Sequence, residues 1–371
     1  MKTAHYTIRF HTPAFLGNAE QSGQWRTPPF KAQLRQWWRV AYAASLGFTP
    51  DVARMREEEG RLFGHAWLEN DRDEQGDKVA ARKSQVRIRL GEWRPGELKS
   101  WDGLEQGKVD HPEAEKSGYK VGPHAYLGYG PLDGRGGTQF SEKVNAAIQA
   151  GEENTFSIGY PDQHAGLIEQ ALVLMSLYGT VGGRSRNGWG SYGLLGINDM
   201  PSLALRPWQE ALKLDWPHAI GSDGDALIWQ TRPFDGWKAL MKELAVLKIG
   251  LRTQKPALEL ELNTSAGDKL LKNKKGEEIG ILHGQPQSRH WLSYPVTHHE
   301  VSDWKRNNAR LPNSLRFKVR PTADGKLVGM IFHMPCRPPA ALQPDEQAIK
   351  RVWQQVHAFL DKQSSLTRTR A

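Results

Sequence analysis

The densest run of residues able to contact a ligand is 179–193, GTVGGRSRNGWGSYG. Gly182, Gly183, Gly188 and Gly190 let the backbone take φ > 0 and approach a ligand closely, while Arg184 and Arg186 supply charge. That combination suits a phosphodiester chain. The segment lacks a GK[ST] ending and follows a helix instead of opening one, which disfavours a nucleotide-binding fingerprint. A structural loop, with glycine chosen for tight turns, is the competing reading. Lys31, Arg35 and Arg39 form a row at i, i+4, i+8 spacing, suited to gripping phosphates or, more ordinarily, to lying on a solvated helix face. Arg9, Arg87 and the ladder Arg316, Lys318, Arg320 repeat the theme at outward strand positions. Trp37 and Trp38 are adjacent, so at most one is expected to point directly into the core; Trp37 is the better core residue, leaving Trp38 for a base or a subunit contact.

Catalytic and metal chemistry find less support. His11 ends a strand, His65 follows Gly64, and His298 and His299 precede Glu300, without forming a motif. Adjacent strand residues point to opposite faces, so His298 and His299 are poorly placed to share a metal, and there is no HExxH helix. There is no GxSxG elbow, and the single cysteine, Cys336, has no activating context and can form neither an internal disulfide nor a thiolate metal site. No catalytic residue, metal or cofactor is expected.

The elements that must position these residues follow from the patterning of 371 residues, a length suited to two domains. With 38% hydrophobic and 25% charged residues the chain has material for packed cores and is not wholly disordered. Its 50 Lys+Arg against 41 Asp+Glu give a formal charge of +9, favouring an anionic partner, nucleic acid first. The lack of a bilayer-length apolar run and of a secretory signal core points to a cytoplasmic protein without a membrane partner. Tyr6, Ile8 and Phe10 alternate with polar residues as a strand; a helix opens at Thr27, Pro28 and Pro29 and stops near Gly47. A second helix covers MREEEGRLFG, and the charged stretch ENDRDEQGDKVAARKS is expected to be a mobile loop. Val86, Ile88 and Leu90 mark a strand, 91–137 an insertion of loops and short hairpins, Phe156, Ile158 and Tyr160 a strand, and HAGLIEQALVLMSLYG a buried helix. Leu194, Leu195 and Ile197 close the half with a strand.

This strand, helix, strand, strand, helix, strand order is the ferredoxin-like, or RRM-like, plait, an α+β fold with helices on one sheet face and the other face free for a ligand. A linker at 198–208 divides the chain into domains 1–200 and 201–371. The second half follows a looser version of the plan: a strand near 226–229, a helix at 235–247, a strand near 257–262, a mobile basic loop at 269–278, a hairpin through the ADGK turn, a helix at 344–360 and a disordered basic tail, SSLTRTRA.

In order along the chain, HTPAFLG, PPFKAQLRQWWR, LFGH before QVRIRL, YLGYG, and GTVGGRSRNGWGSYG resemble the RAMP superfamily of CRISPR systems, most closely the Cmr-type head subunit of type III-B effector complexes. LPNSLRFKV and its hairpin extend the resemblance, less specifically, into the second half. The resemblance implies two ferredoxin-like RAMP domains with loop and hairpin insertions in a non-catalytic, RNA-binding subunit. Its implied partners are guide RNA, target RNA and other RAMP subunits, near the 3′ end of the guide. It implies backbone contacts from Lys31, Arg35, Arg39, Arg184 and Arg186; Asn187 stands where relatives often have a second basic residue. The alternative within the same superfamily is a metal-independent endoribonuclease with a histidine general base. Such enzymes are expected to carry the Gly-rich loop near the chain's end, whereas here it lies mid-chain, which favours binding. A structural adaptor, in which the basic surface is irrelevant to RNA, is the third reading.

Overall fold

The computed structural model describes the whole chain except residues 21, 67, 70, 74, 106, 115–117, 135, 198–204, 256–257, 259, 261–266 and 370–371. The first half folds on the alternation seen at its start. Strand β1 (Lys2–Phe10) buries Ile8 and Phe10 and exposes Arg9. Helix α1 (Thr27–Ser45) opens with prolines in its first turn, where the missing N–H costs no helical bond. It is followed by helix α2 (Val52–Phe63), capped by Asp51 accepting from Arg54 N, and by strand β2 (Arg87–Leu90). Strand β3 (Glu153–Tyr160), helix α3 (Ala165–Tyr178) and strand β4 (Tyr192–Leu195) complete the half. The sheet order is β2-β3-β1-β4, every neighbouring pair antiparallel.

The second half repeats this order. Strand β5 (Ile228–Thr231), helix α4 (Trp237–Arg252), strands β6 (Leu315–Pro321) and β7 (Leu327–His333), helix α5 (Glu346–Asp361) and strand β8 (Leu366–Arg368) form a sheet ordered β6-β7-β5-β8, also antiparallel throughout. Both sheets therefore carry the ferredoxin-like arrangement in an α+β fold, and the insertion at 91–137 holds short paired strands and the helix Pro123–Gly128. No helix among the described residues is long and apolar enough to cross a membrane.

The two halves stack through their own elements. Phe30 of α1 packs on Phe10 and Phe156 of the first sheet, while Trp37 of α1 and Tyr178 of α3 both pack on Phe332 of the second. Helices α1 and α3 thus lie between the sheets. On the far side of the second sheet, Phe317, Val319 and Ile331 share a core with Leu240, Leu244, Val352 and Val356 of α4 and α5. The layers run sheet, helices, sheet, helices.

This layering corrects several expectations. Trp38 is buried with Trp37, stacked on Tyr42 and edge-on to Phe63, because α1 is covered by α2 as well as by both sheets. Lys318 of the basic ladder is completely buried: its Nζ donates to Gly179 O at 2.5 Å and to Tyr192 O. The second sheet has no face free for a ligand, since the helices of the first half pack on it. The charged loop after α2 is anchored, with Asp71 buried between His65 (2.6 Å) and a bidentate Arg82 (2.9 and 3.0 Å). The basic loop at 269–278 is an antiparallel hairpin, Lys269–Lys272 with Glu278–His283. The tail supplies β8, pinned where Arg368 meets Asp223 and Asp361. Residues 198–204 of the expected linker and most of the expected strand at 257–262 lie outside the described residues.

Candidate nucleic-acid interface

The first basic feature is built on α1, whose helical repeat places Lys31, Arg35 and Arg39 one above another. They line a groove of about 620 Å³ with Arg56, Val52 and Glu59 of α2, and with Asp215 and Trp216 from the second half. Glu59, buried under this row, is the partner that the sequence reading missed: Arg35 Nε lies 2.7 Å from one carboxylate oxygen and an Arg39 nitrogen 3.5 Å from the other. A glutamate inside the EEE run of α2 gives no sign of its orientation until α2 is packed on α1. The Arg39 guanidinium also lies 4.3 Å from the ring centroid of Trp216, and its Nε has no acceptor. Burial holds Arg39 below the ordinary arginine range, with Glu59 opposing; burial, then Arg35, pushes the Lys31 ammonium down. An anion in the groove relieves both strains, since a negative charge favours protonated cations and offers the missing acceptor.

Trp216 is itself held by its neighbour. His218, buried, donates from Nδ1 to Trp216 O at 2.8 Å, leaving Nε2 to accept from Arg206 at 2.5 Å. Burial, reinforced by Arg206, lowers the ring to about 4, so it is neutral at pH 7.

The Gly-rich loop is the second feature, and much of it is a seam between the halves. Gly182, Gly188 and Gly190 have φ of 92°, 91° and 63°, whereas Gly183 has no positive φ, contrary to the sequence expectation. At Gly190 a β-carbon would sit 1.9 Å from Val181 O, so that glycine serves close backbone packing. Gly188 is enclosed, its missing β-carbon 3.3 Å from Met241 Sδ of α4. Arg186 accepts at the seam through its main chain: Phe317 N donates to Arg186 O at 3.0 Å. Its side chain is half-buried, and burial lowers its pKa. Asn187 donates to Leu127 O at 2.6 Å and accepts from Lys248 Nζ, so its place in the loop is structural.

Gly182 and Arg184 are the loop residues left exposed. Arg184, at φ 55°, donates from Nε to the backbone oxygen of Tyr129, a residue that is itself 61% exposed. This arginine and tyrosine offer a charge and a stacking surface together. Tyr129 belongs to the YLGYG segment, yet nothing in the sequence placed it next to a loop 55 residues later.

The candidate histidines are placed apart. His11 is opposite Gly193, and burial with the charges of Lys318, Arg9 and Arg320 lowers it to about 3. His65 serves Asp71. His299 faces His283 at 3.1 Å and accepts through its carbonyl from His290. Among the described residues no group of three or more His, Cys, Asp or Glu is arranged to hold a metal ion.

With the plait and its basic features in place, a family model for the RAMP superfamily matches residues 7–192, half of the chain. The chain belongs to the RAMP superfamily. The match runs from β1 to the start of β4 and includes both the α1 row and the Gly-rich loop. Among solved structures this RAMP chain is similar to Cmr1 from Pyrococcus furiosus in its apo form, at 16% identity and TM-score 0.46, over 99% of this chain and 98% of that one. It is also similar to a chain of the type III-B Cmr-beta complex bound to cognate target RNA and AMPPnP in the presence of ssDNA, at 12% identity and TM-score 0.43, over 95% and 98% of the two chains. A further Cmr-beta structure, bound to cognate target RNA, matches at 11% identity and TM-score 0.40, over 95% and 99%. No curated protein matches the chain significantly.

Proposed function

We propose that this RAMP-superfamily chain is a non-catalytic RNA-binding subunit of a type III CRISPR ribonucleoprotein effector complex, seating guide or target RNA near the 3′ end of the guide beside other RAMP subunits. In this reading residues 1–200 and 201–371 are its two ferredoxin-like domains, Lys31, Arg35, Arg39, Gly182, Gly183, Arg184 and Arg186 belong to the RNA-binding region, and the enclosed Gly188 supports that region by seating the loop against α4. The observation that carries it is the α1 groove, where four cationic side chains meet two carboxylates and Arg39 keeps an unpartnered Nε donor. Arg184 and Tyr129 add a charged and aromatic contact at the exposed end of the Gly-rich loop. The chain's own basic groups position a phosphate backbone, and base pairing between guide and target supplies sequence.

The electrostatics of His11 support binding over cleavage, because a ring with a pKa of about 3 is a weak base for a 2′-hydroxyl proton at neutral pH. Titration of the purified chain with single-stranded RNA over a salt series tests the proposal. Replacing Lys31, Arg35 and Arg39 by alanine is expected to weaken binding and flatten the slope of log affinity against log salt by about 0.7 per lost contact. An unchanged slope in a folded variant makes the row a structural cluster around Glu59. A defined RNA product that disappears on His11→Ala would make the chain a nuclease.

A further inference from the structure

The helices of the first half lie on one side of its sheet, and nothing among the described elements covers the other. The strand registers place Arg89, Ser157 and His5 in one row across that open face, Arg87, Gly159 and Thr3 in the next, and Thr155, Thr7 and Leu195 on the other flank, followed by Glu153 and Arg9. Arg9, Arg87, Arg89, His5, Thr3 and Thr155 are exposed. Glu153 is the one carboxylate in these rows, and Arg9 lies 3.5 Å from it. Arg87 and Arg89 stand two residues apart on β2, about 6.8 Å along the strand, with no ion pair among the described residues. His5 and Ser157 hydrogen bond at 2.9 Å, and Thr3, Thr7 and Thr155 surround them with hydroxyls.

At one end of this face the chain leaving β2 stays tied to β3. Gly91 N donates to Thr155 O and Glu92 N to Asn154 Oδ1. The next residue, Trp93, is 60% exposed, an unusual place for an indole on a solvated surface.

We propose that this open sheet face, with Trp93 at its end, is a second binding surface for single-stranded RNA, separate from the α1 groove. The charge of the two unpaired arginines selects an anionic chain, the hydroxyl rows offer donors and acceptors to phosphates and ribose 2′-hydroxyls, and the indole offers a base a stacking plane. The α1 groove lies on the helical side of the same sheet. The two surfaces therefore engage different stretches of RNA, or two strands, and not one short segment. This inference rests on the RNA-binding reading above.

The test compares the full-length parent, the alanine triple at Lys31, Arg35 and Arg39, the double variant Arg87→Ala/Arg89→Ala, and Trp93→Ala. Each is titrated with a fluorescein-labelled, mixed-sequence 30-nucleotide RNA at several salt concentrations, after a thermal melt has confirmed its fold. The double variant should bind about ten-fold more weakly, with a salt slope flatter by about 1.4 for two lost contacts. Trp93→Ala should bind at least about five-fold more weakly with its slope unchanged, and Trp93→Phe should recover part of the loss. If the parent binds RNA and only the α1 triple is weakened, the sheet face is not an RNA surface and the function proposed above stands. If the parent does not bind RNA, both readings fall. A double variant that binds RNA like the parent but no longer binds polyglutamate assigns the face to an acidic protein partner and overturns the proposal.

Discussion

Glu59 shows how one buried residue changes the meaning of a basic row. Its carboxylate neutralises part of the charge of Arg35 and Arg39 and fixes both guanidinium groups toward the groove. Removing it is expected to leave two poorly compensated cations, so Glu59→Gln should lose stability while the folded fraction binds RNA at least as tightly as the parent. Paired melting and RNA titrations would detect that divergence. Asp71 belongs to the opposite class, a purely structural charge. Its hydrogen bonds with Arg82, and then with His65, hold the carboxyl at about 2. Asp71→Asn should cost about 2–4 kcal/mol, because the carboxylate charge is lost and an amide NH2 then faces the donors of Arg82 or His65; RNA affinity of the folded protein should not change. Tyr129 is the residue-scale test of the loop. Tyr129→Ala should weaken RNA binding at least about five-fold and Tyr129→Phe much less, since stacking needs the ring and not the hydroxyl. Equal affinity of both variants and the parent would remove Tyr129 from the interface.

At the scale of elements, the Gly-rich loop and β6 form one joint. Val319 N donates to Ser191 Oγ at 2.8 Å, Phe317 N donates to Arg186 O, and Lys318 closes on Gly179 and Tyr192. Lys318→Met removes the donor from two carbonyls in a buried site and should destabilise the protein by about 2–4 kcal/mol. Hydrogen exchange should rise in 179–193 and in β6 together; a rise confined to β6 would show that the joint is weaker than its hydrogen bonds imply. Gly188→Ala acts on the same joint, placing a β-carbon at φ 91° against Met241, and is expected to lower the melting temperature while leaving RNA affinity of the folded chain intact. Strand β8 is a smaller anchor of the same kind. Arg368 touches Asp223 and Asp361, donates to Ala226 O at 2.9 Å, and lies over the Trp229 ring.

For the whole molecule, burial keeps a set of histidines neutral. Burial lowers His218, His290, His299 and His357 to about 4 and His11 to about 3. In the unfolded chain these rings take up protons as pH falls through about 6.5, while in the folded chain they do not until about 4. The unfolded state binds more protons in that window, so stability is complete above about pH 6.5 and declines as pH falls toward 4. Below that, Asp71 contributes a further loss as its carboxyl protonates toward pH 2. Melting temperatures at constant ionic strength should drop by at least about 5 °C between pH 7.5 and pH 5. A flat profile over that range would mean that the histidines are less enclosed than their burial indicates.

Local patterning was enough to define the plait of the first half. The alternation of Ile8 with Phe10, of Phe156 with Ile158, and of Phe317 with Val319 sets which strand face is buried, and the prolines after Thr27 set where α1 begins. Those signals act within a few residues and survive without tertiary context. Family membership was legible too, because the motifs that carry it occur in order along one stretch. Partnerships across layers were not. Whether Lys318 faces RNA or Tyr192, whether Trp38 is free, and whether the tail is loose or a strand depend on the first half's helices lying against the second sheet. The same strand alternation that exposes Arg87 and Arg89 buries Lys318, because one sheet face meets solvent and the other meets another layer. Periodicity assigns a side chain to a face; only packing between distant segments decides what that face meets.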